Sequence, residues 1–175
     1  MTVRSIIIAM VLPLVKLLSV IFYDKKYLSG RWFSESNQGW RWVLIGIWTQ
    51  KILGFNRDIP FPISPFTKVT NYNNIHFHPD NIDNFQSPGC YLQCSRAHIY
   101  IGHGTYIAPN VGIITANHDP YNLDEHLDAK DVVIGENCWI GMNSVILPGV
   151  IIGNQTIVAA GSAVNKSFTN GKCIV

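Results

Sequence analysis

From Ile134 onward an aliphatic residue recurs at every sixth position: Ile134, Ile140, Ile146, Ile152, Val158 and Val164. Four positions after each comes a small or medium side chain, at Cys138, Ser144, Val150, Thr156 and Ser162, until Phe168 breaks the size rule. The same register runs earlier through Ile101, Ile107 and Ile113, and glycine follows the aliphatic at Gly102, Gly135, Gly141 and Gly153. A period of six matches neither helix nor simple strand alternation. It fits a β-solenoid of short strands joined by tight turns, three strands to a triangular coil, each aliphatic pointing into the prism. Asn and Gly at the corners suit turns that need positive φ. The pattern predicts a mainly β solenoid domain over residues 59–175.

The register stops after Ile113 and resumes at Ile134, an interval 15 residues longer than one hexad. The excess is a polar insertion over 117–132 that contains His118, Asp119, Asp124, Glu125 and His126. A solenoid that extrudes one loop and keeps register on both sides usually does so for function.

Before Ile59 the pattern differs. Residues 1–58 read as an apolar, helical appendage: Ser5 to Phe22 is almost wholly apolar apart from Pro13 and Lys16, and Gly39 to Leu53 reads as a second, aromatic-rich helix. Four of the five tryptophans lie between Trp32 and Trp48, among Arg31, Arg41 and Lys51. That mixture is typical of a membrane–water interface. It predicts peripheral membrane contact through residues 5–53; the rival is a helix pair packed on the solenoid end or on another subunit. Pro60, Pro62 and Pro65 then favour an extended lead-in.

Composition narrows the functional classes. A net charge of +2 without a Lys/Arg-rich stretch argues against nucleic-acid binding. Four cysteines in 175 residues do not make a secreted disulfide scaffold, so a reduced cytoplasmic setting is expected, with the appendage as the candidate attachment to the inner membrane face. Cys90 and Cys94 lack a second half with zinc-finger spacing and read as packing residues.

Three stretches resemble the hexapeptide-repeat O-acetyltransferases, which include the maltose, galactoside and colanic-acid enzymes. They are Tyr106-Ile-Ala-Pro-Asn-Val-Gly-Ile-Ile-Thr-Ala-Asn-His118-Asp, Ile134-Gly-Glu-Asn-Cys-Trp139 through Val150, and Ala160-Gly-Ser-Ala-Val164-Asn-Lys166. The resemblance covers residues 85–175. It implies a left-handed parallel β-helix, a homotrimer with sites between subunits, and acetyl transfer from acetyl-CoA to a sugar or glycan hydroxyl without a metal. Surface polysaccharide biosynthesis is the expected setting. It further implies His118 as the general base, with Asp119 or another carboxylate orienting it. Trp139, Gly141, Met142, Ala160, Gly161, Asn165 and Lys166 fall where relatives contact CoA. Met142 stands where relatives often have a small polar residue, and Asn165 where they have threonine. Acceptor contacts are expected from Tyr91, Gln93, Ser95 and Arg96, with Asn110 and Asn117 close in register. The relatives continue past the position of Val175, so a truncated C-terminus is expected.

Two other readings predict different chemistry. A solenoid carbonic anhydrase needs three zinc-binding histidines, two of them five residues apart. Ile101-Gly-His103-Gly has Ala108 where the second ligand belongs, and His98 with His103 has the spacing in the wrong register. A non-catalytic scaffold would have no need of His118.

Overall fold

The structure is a computed structural model that describes residues 3–175, with side chains from Leu12 onward. Residues 5–11 of the expected apolar run therefore have side chains outside the described set. The chain divides into two compact units at Pro65/Phe66.

The first unit is helical. Helix α1 (Val3–Phe22) contains Pro13; α2 (Arg31–Ser34) and α3 (Gln38–Gly46) follow, and α3 runs on into a π-helical stretch over Ile47–Ile52. One stripe of α1 is buried at Val15 and Ser19 and continues to Tyr23. The wider turn of the π stretch brings a fully buried Gln50 to the centre of the unit. Its carboxamide oxygen accepts from the Tyr23 hydroxyl (3.0 Å) and the Ile63 N–H (3.1 Å). Its amide nitrogen donates to the carbonyls of Phe61 (3.2 Å) and Asn56 (3.3 Å). Residues 59–63, with Ile59, Phe61 and Ile63 all buried, are thereby pinned to the helices. Burial of the Tyr23 phenol raises its pKa well above the ordinary tyrosine range. Among the described residues no helix is long and apolar enough to cross a membrane.

The second unit is a parallel β-helix. Its strands are β1 (Lys68–Val69), β2 (Ile75–Phe77), β3 (Tyr91–Gln93), β4 (Ile99–Ile101), β5 (Tyr106–Ile107), β6 (Gly112–Ile114), β7 (Val132–Ile134), β8 (Trp139–Ile140), β9 (Val145–Ile146), β10 (Ile151–Ile152), β11 (Ile157–Val158) and β12 (Ala163–Val164). They form three faces: β1-β3-β6-β9-β12, β2-β4-β7-β10 and β5-β8-β11. Every ladder between named strands is parallel, and the hexad aliphatics stack rung on rung: Leu92 on Ile113 on Ile146 on Val164, Ile101 on Ile134 on Ile152, Ile107 on Ile140 on Val158. All nine hexad aliphatics from Ile101 to Val164 are at most 5% exposed, which confirms that they fill the prism. Fully buried at that scale, each is worth about 1.5–3 kcal/mol of transfer free energy. Phe168 and Ile174 extend the second and third faces as single bridges.

The corners follow the sequence closely. Asn110, Asn137, Asn143 and Gln155 adopt positive φ between 53° and 60°. Buried corner hydroxyls bond to nearby carbonyls, Ser144 to Gly141 (2.7 Å) and Thr156 to Gly153 (2.8 Å), so the narrow interior holds no stranded hydroxyl at these positions. The first coil departs from the pattern. A 3-10 helix, Pro79–Gln86, stands where its third strand would run, and Asn81 and Asn84 bond its neighbour's backbone in place of a ladder. Cys90 and Cys94 are buried, with thiols directed at the Ala108 and Asn71 carbonyls, and burial raises both pKa values. They are packing residues.

Candidate functional site

The inserted loop leaves the prism after β6, at the edge between the first and second faces, and returns at β7. Its base is clamped from the coil before. The Gln93 carboxamide oxygen accepts from the Thr115 N–H (2.9 Å), the Ala116 N–H (3.1 Å) and the Thr115 hydroxyl (3.1 Å). The loop then closes on itself. Leu127 N–H donates to the Asn117 carbonyl, Asp119 N–H to that of Glu125, and His118 pairs with His126 as an antiparallel bridge.

This closure sets the chemistry of His118. Its Nδ1 lies 2.7 Å from the carbonyl oxygen of Leu123. A carbonyl can only accept, so Nδ1 carries the proton, and in the neutral ring Nε2 keeps its lone pair. The ring is exposed, with Nε2 on the side away from the anchoring bond. The His126 ring lies 4.2 Å away, centroid to centroid, at 35°. Desolvation, the His118 ring and the Arg96 guanidinium, in that order, lower the His126 pKa. The shift favours the neutral form of His126 beside His118.

The expected orienting carboxylate is not on the ring. Asp119 Oδ1 accepts from the Tyr121 N–H (2.8 Å) and shapes the loop's turn, while a backbone carbonyl holds the imidazole. Leu123 left no trace in the sequence, because any residue supplies a carbonyl. Gln93, expected near the acceptor, has its oxygen committed to the loop base. Ser95 and Arg96 are exposed on the corner that follows β3, the same edge from which the loop emerges. Tyr91 is exposed on the first face. Asn110 lies at a different edge, between the third and first faces, where its side chain donates to Asn143 (3.1 Å) in a ladder of corner asparagines.

The residues expected to contact CoA fall into separate groups. Asn165 lines an open groove of ≈ 430 Å³ at the foot of the loop, together with Asn117, Leu127, Asp128, Lys130, Leu147 and Pro148. Lys166 is exposed beside it in sequence, with its ammonium 5.6 Å from the Phe168 ring centre. Gly141, Met142, Ala160 and Gly161 sit at the edge between the third and first faces. There the Gly161 N–H donates to the Met142 carbonyl (2.8 Å), and Met142 is 44% exposed. Trp139 is on the third face, half exposed, its ring 6.3 Å from that of Tyr106. One chain thus carries His118 and Asn165 on one edge of the prism and the glycine-rich corner on another, with the first face between them.

The zinc arrangement of a carbonic anhydrase is not assembled. His98 Nδ1 lies 3.0 Å from His76 Nε2, while His103 Nε2 lies 3.1 Å from Asp80, so the two histidines of the five-residue spacing serve different partners.

Comparison with known proteins gives matches over the solenoid. Residues 131–166 match the bacterial transferase hexapeptide family (six repeats). A galactoside O-acetyltransferase of Lactococcus lactis is 39% identical over 74 residues, 40% of this chain and 35% of that protein. A galactoside O-acetyltransferase of Escherichia coli is 37% identical over 73 residues, 40% of this chain and 36% of that protein. The crystal structure of a hexapeptide-repeat acetyltransferase of Vibrio cholerae complexed with acetyl coenzyme A has 34% identity and a TM-score of 0.43, covering 46% of this chain and 45% of that one. The chain spans less than half the length of these relatives. Its solenoid carries the bacterial transferase hexapeptide repeat and is similar in sequence to hexapeptide-repeat O-acetyltransferases.

Proposed function

We propose that this protein is an O-acetyltransferase that moves an acetyl group from acetyl-CoA to a hydroxyl of a sugar or glycan, with His118 as the general base. The observation that carries the reading is the bond from His118 Nδ1 to the Leu123 carbonyl, which leaves Nε2 as the basic atom on an exposed ring. An acceptor hydroxyl gives its proton to Nε2 while its oxygen attacks the thioester carbonyl. The tetrahedral oxyanion collapses, the C–S bond breaks, and the imidazolium returns the proton to the departing thiolate. Backbone N–H groups at the corners are the candidate oxyanion donors. Asp119 acts by shaping the loop, and Gln93 by fixing where it starts.

The separation of His118 from Gly141, Met142, Ala160 and Gly161 within one chain supports a site completed by a second copy, in the left-handed homotrimer that the resemblance implies. One copy would present its loop edge to the glycine-rich edge and Trp139 of its neighbour. Lys166 and Asn165 then flank the donor near the loop, and Tyr91, Ser95 and Arg96 face the acceptor. The helical unit supports a place at a membrane surface. It carries eight of the chain's 13 Lys and Arg and three of its 11 Asp and Glu. Leu17, Ile21, Trp48 and Ile52 are 57–69% exposed on it. Basic residues beside exposed apolar ones suit an anionic lipid surface.

The test is free-thiol release from acetyl-CoA with a panel of sugars and oligosaccharides. His118→Ala should lower kcat by roughly 10²- to 10⁴-fold, with circular dichroism unchanged. A fully active variant removes His118 from the mechanism, and absence of turnover with every acceptor favours the scaffold reading.

A further inference from the structure

Among the described residues one group of side chains with metal-ligand chemistry lies at the edge between the second and third faces, a different edge from the one that carries the loop. His78, Asp80 and His103 each offer one donor atom, and all three atoms lie within 4.8 Å of one another. Asp80 Oδ2 is 3.1 Å from His103 Nε2 and 3.6 Å from His78 Nδ1. Bonds of about 2.0–2.2 Å from Zn²⁺ to imidazole nitrogen and carboxylate oxygen place neighbouring donors of a tetrahedron about 3.3–3.5 Å apart. Both separations lie close to that edge length.

The segments that carry the donors are already locked together. Asp80 is in the first turn of the 3-10 helix Pro79–Gln86, and His103 is in the turn between β4 and β5. Buried Asn81 bridges the two in both directions: its amide donates to the Gly102 carbonyl (2.7 Å), and its oxygen accepts from the Gly104 N–H (3.0 Å). Asn84 repeats the arrangement one step on, with Thr105 and Ile107. The donors therefore stand on a preformed frame, and binding needs only small side-chain movements.

We propose that His78, Asp80 and His103 form a site for a divalent zinc-class ion, with water in the fourth position. The His103 proton now directed at Asp80 moves to the ring's other nitrogen, so a neutral imidazole ligates without releasing a proton. His78 gives up its long bond from the Asp80 N–H (3.2 Å), which turns to water. Two nitrogens and one oxygen select zinc over magnesium or calcium, which take oxygen donors. The ion staples the 3-10 helix of the first coil to the second coil. The site is independent of the acetyl-transfer reading.

Titration of the whole chain with ZnCl₂, with MgCl₂ as comparison, should show one saturable zinc site per chain and a raised unfolding temperature. His103→Ala and Asp80→Asn should each weaken zinc binding by at least about tenfold, while His126→Ala should leave it intact. Histidine carbethoxylation of the wild-type protein, read by mass spectrometry, works even where a variant fails to fold. Zinc should protect His78 and His103. Protection of His118 and His126 or of His76 and His98 instead, protection of none, or wild-type affinity in both ligand variants would overturn the site.

Discussion

Removing the Gln93 carboxamide tests whether the loop's position is set from the coil beneath it. Gln93→Ala deletes three contacts, yet their loss is not three times one bond. The Thr115 N–H also reaches the Gln93 backbone carbonyl (3.1 Å), and the Thr115 hydroxyl reaches the same oxygen (2.9 Å). Both survive the substitution. Only the buried Ala116 N–H, bonded to the carboxamide oxygen at 3.1 Å, is left without its acceptor. One orphaned buried donor costs about 1–3 kcal/mol, against the 3–9 that a plain count of contacts suggests. Native-state hydrogen exchange reads this directly. The Ala116 amide should lose roughly one to two orders of magnitude of protection, at about 1.4 kcal/mol per factor of ten. The amide of Ile140, on a ladder remote from the loop, should keep its protection. Gln93→Glu retains an acceptor oxygen and should restore most of the loss. His118 lies two residues past the orphaned amide, so kcat should fall with it. If Ala116 exchanges as slowly in Gln93→Ala as in the wild type, the clamp is not what holds the loop.

Other outcomes follow from the same geometry. A Cβ on Gly141 would lie 2.6 Å from the Ala160 nitrogen and 2.7 Å from the Val158 oxygen. These are backbone atoms that cannot swing away, so Gly141→Ala should cost about 1–3 kcal/mol or more in denaturant unfolding. Ile146→Ala, at a fully buried rung, should cost about 2–5 kcal/mol. Trp139→Ala, half exposed, should change stability far less while raising the KM for acetyl-CoA. Equal destabilisation by the two would place Trp139 in the core. In proton NMR the His126 ring should titrate below the ordinary histidine range, and Arg96→Ala should move it upward. Because the folded ring binds its proton less tightly than the unfolded one, its contribution to stability is complete above the unfolded pKa. It is lost as pH falls through the folded pKa. A His126 midpoint above the ordinary value contradicts the proximity of His118 and Arg96.

The prism was legible because its physics repeats. A narrow interior accepts one aliphatic and one small residue per side, so Ile134 to Val164 announce themselves by spacing alone. The loop was legible as an interruption of that spacing, with His118 and His126 on it. What the sequence hid are relations without a periodic or side-chain signature. The carbonyl of Leu123 orients His118, and no residue type betrays a carbonyl. The sequence places His126 only on the same polar insertion as His118; the bridge eight positions across the loop stacks the two rings while both stay exposed. Asn81 and Asn84 replace a strand with side-chain amides, so the first coil has no hexad to detect. Gln50 stands between Thr49 and Lys51 in the aromatic-rich helix, indistinguishable in sequence from its polar neighbours, and only its buried environment shows why it is there.

The detour between β6 and β7 leaves the stacking undisturbed: Ile113 meets Ile146, and Ile101 meets Ile134, as if the chain had never departed. The scaffold is therefore indifferent to what is grafted at that corner. Lengthening such an excursion twofold adds only about 0.6 kcal/mol of closure entropy, and no hydrophobic layer has to be rebuilt. New surface chemistry can thus arise by exchanging one segment while the supporting column stays unchanged.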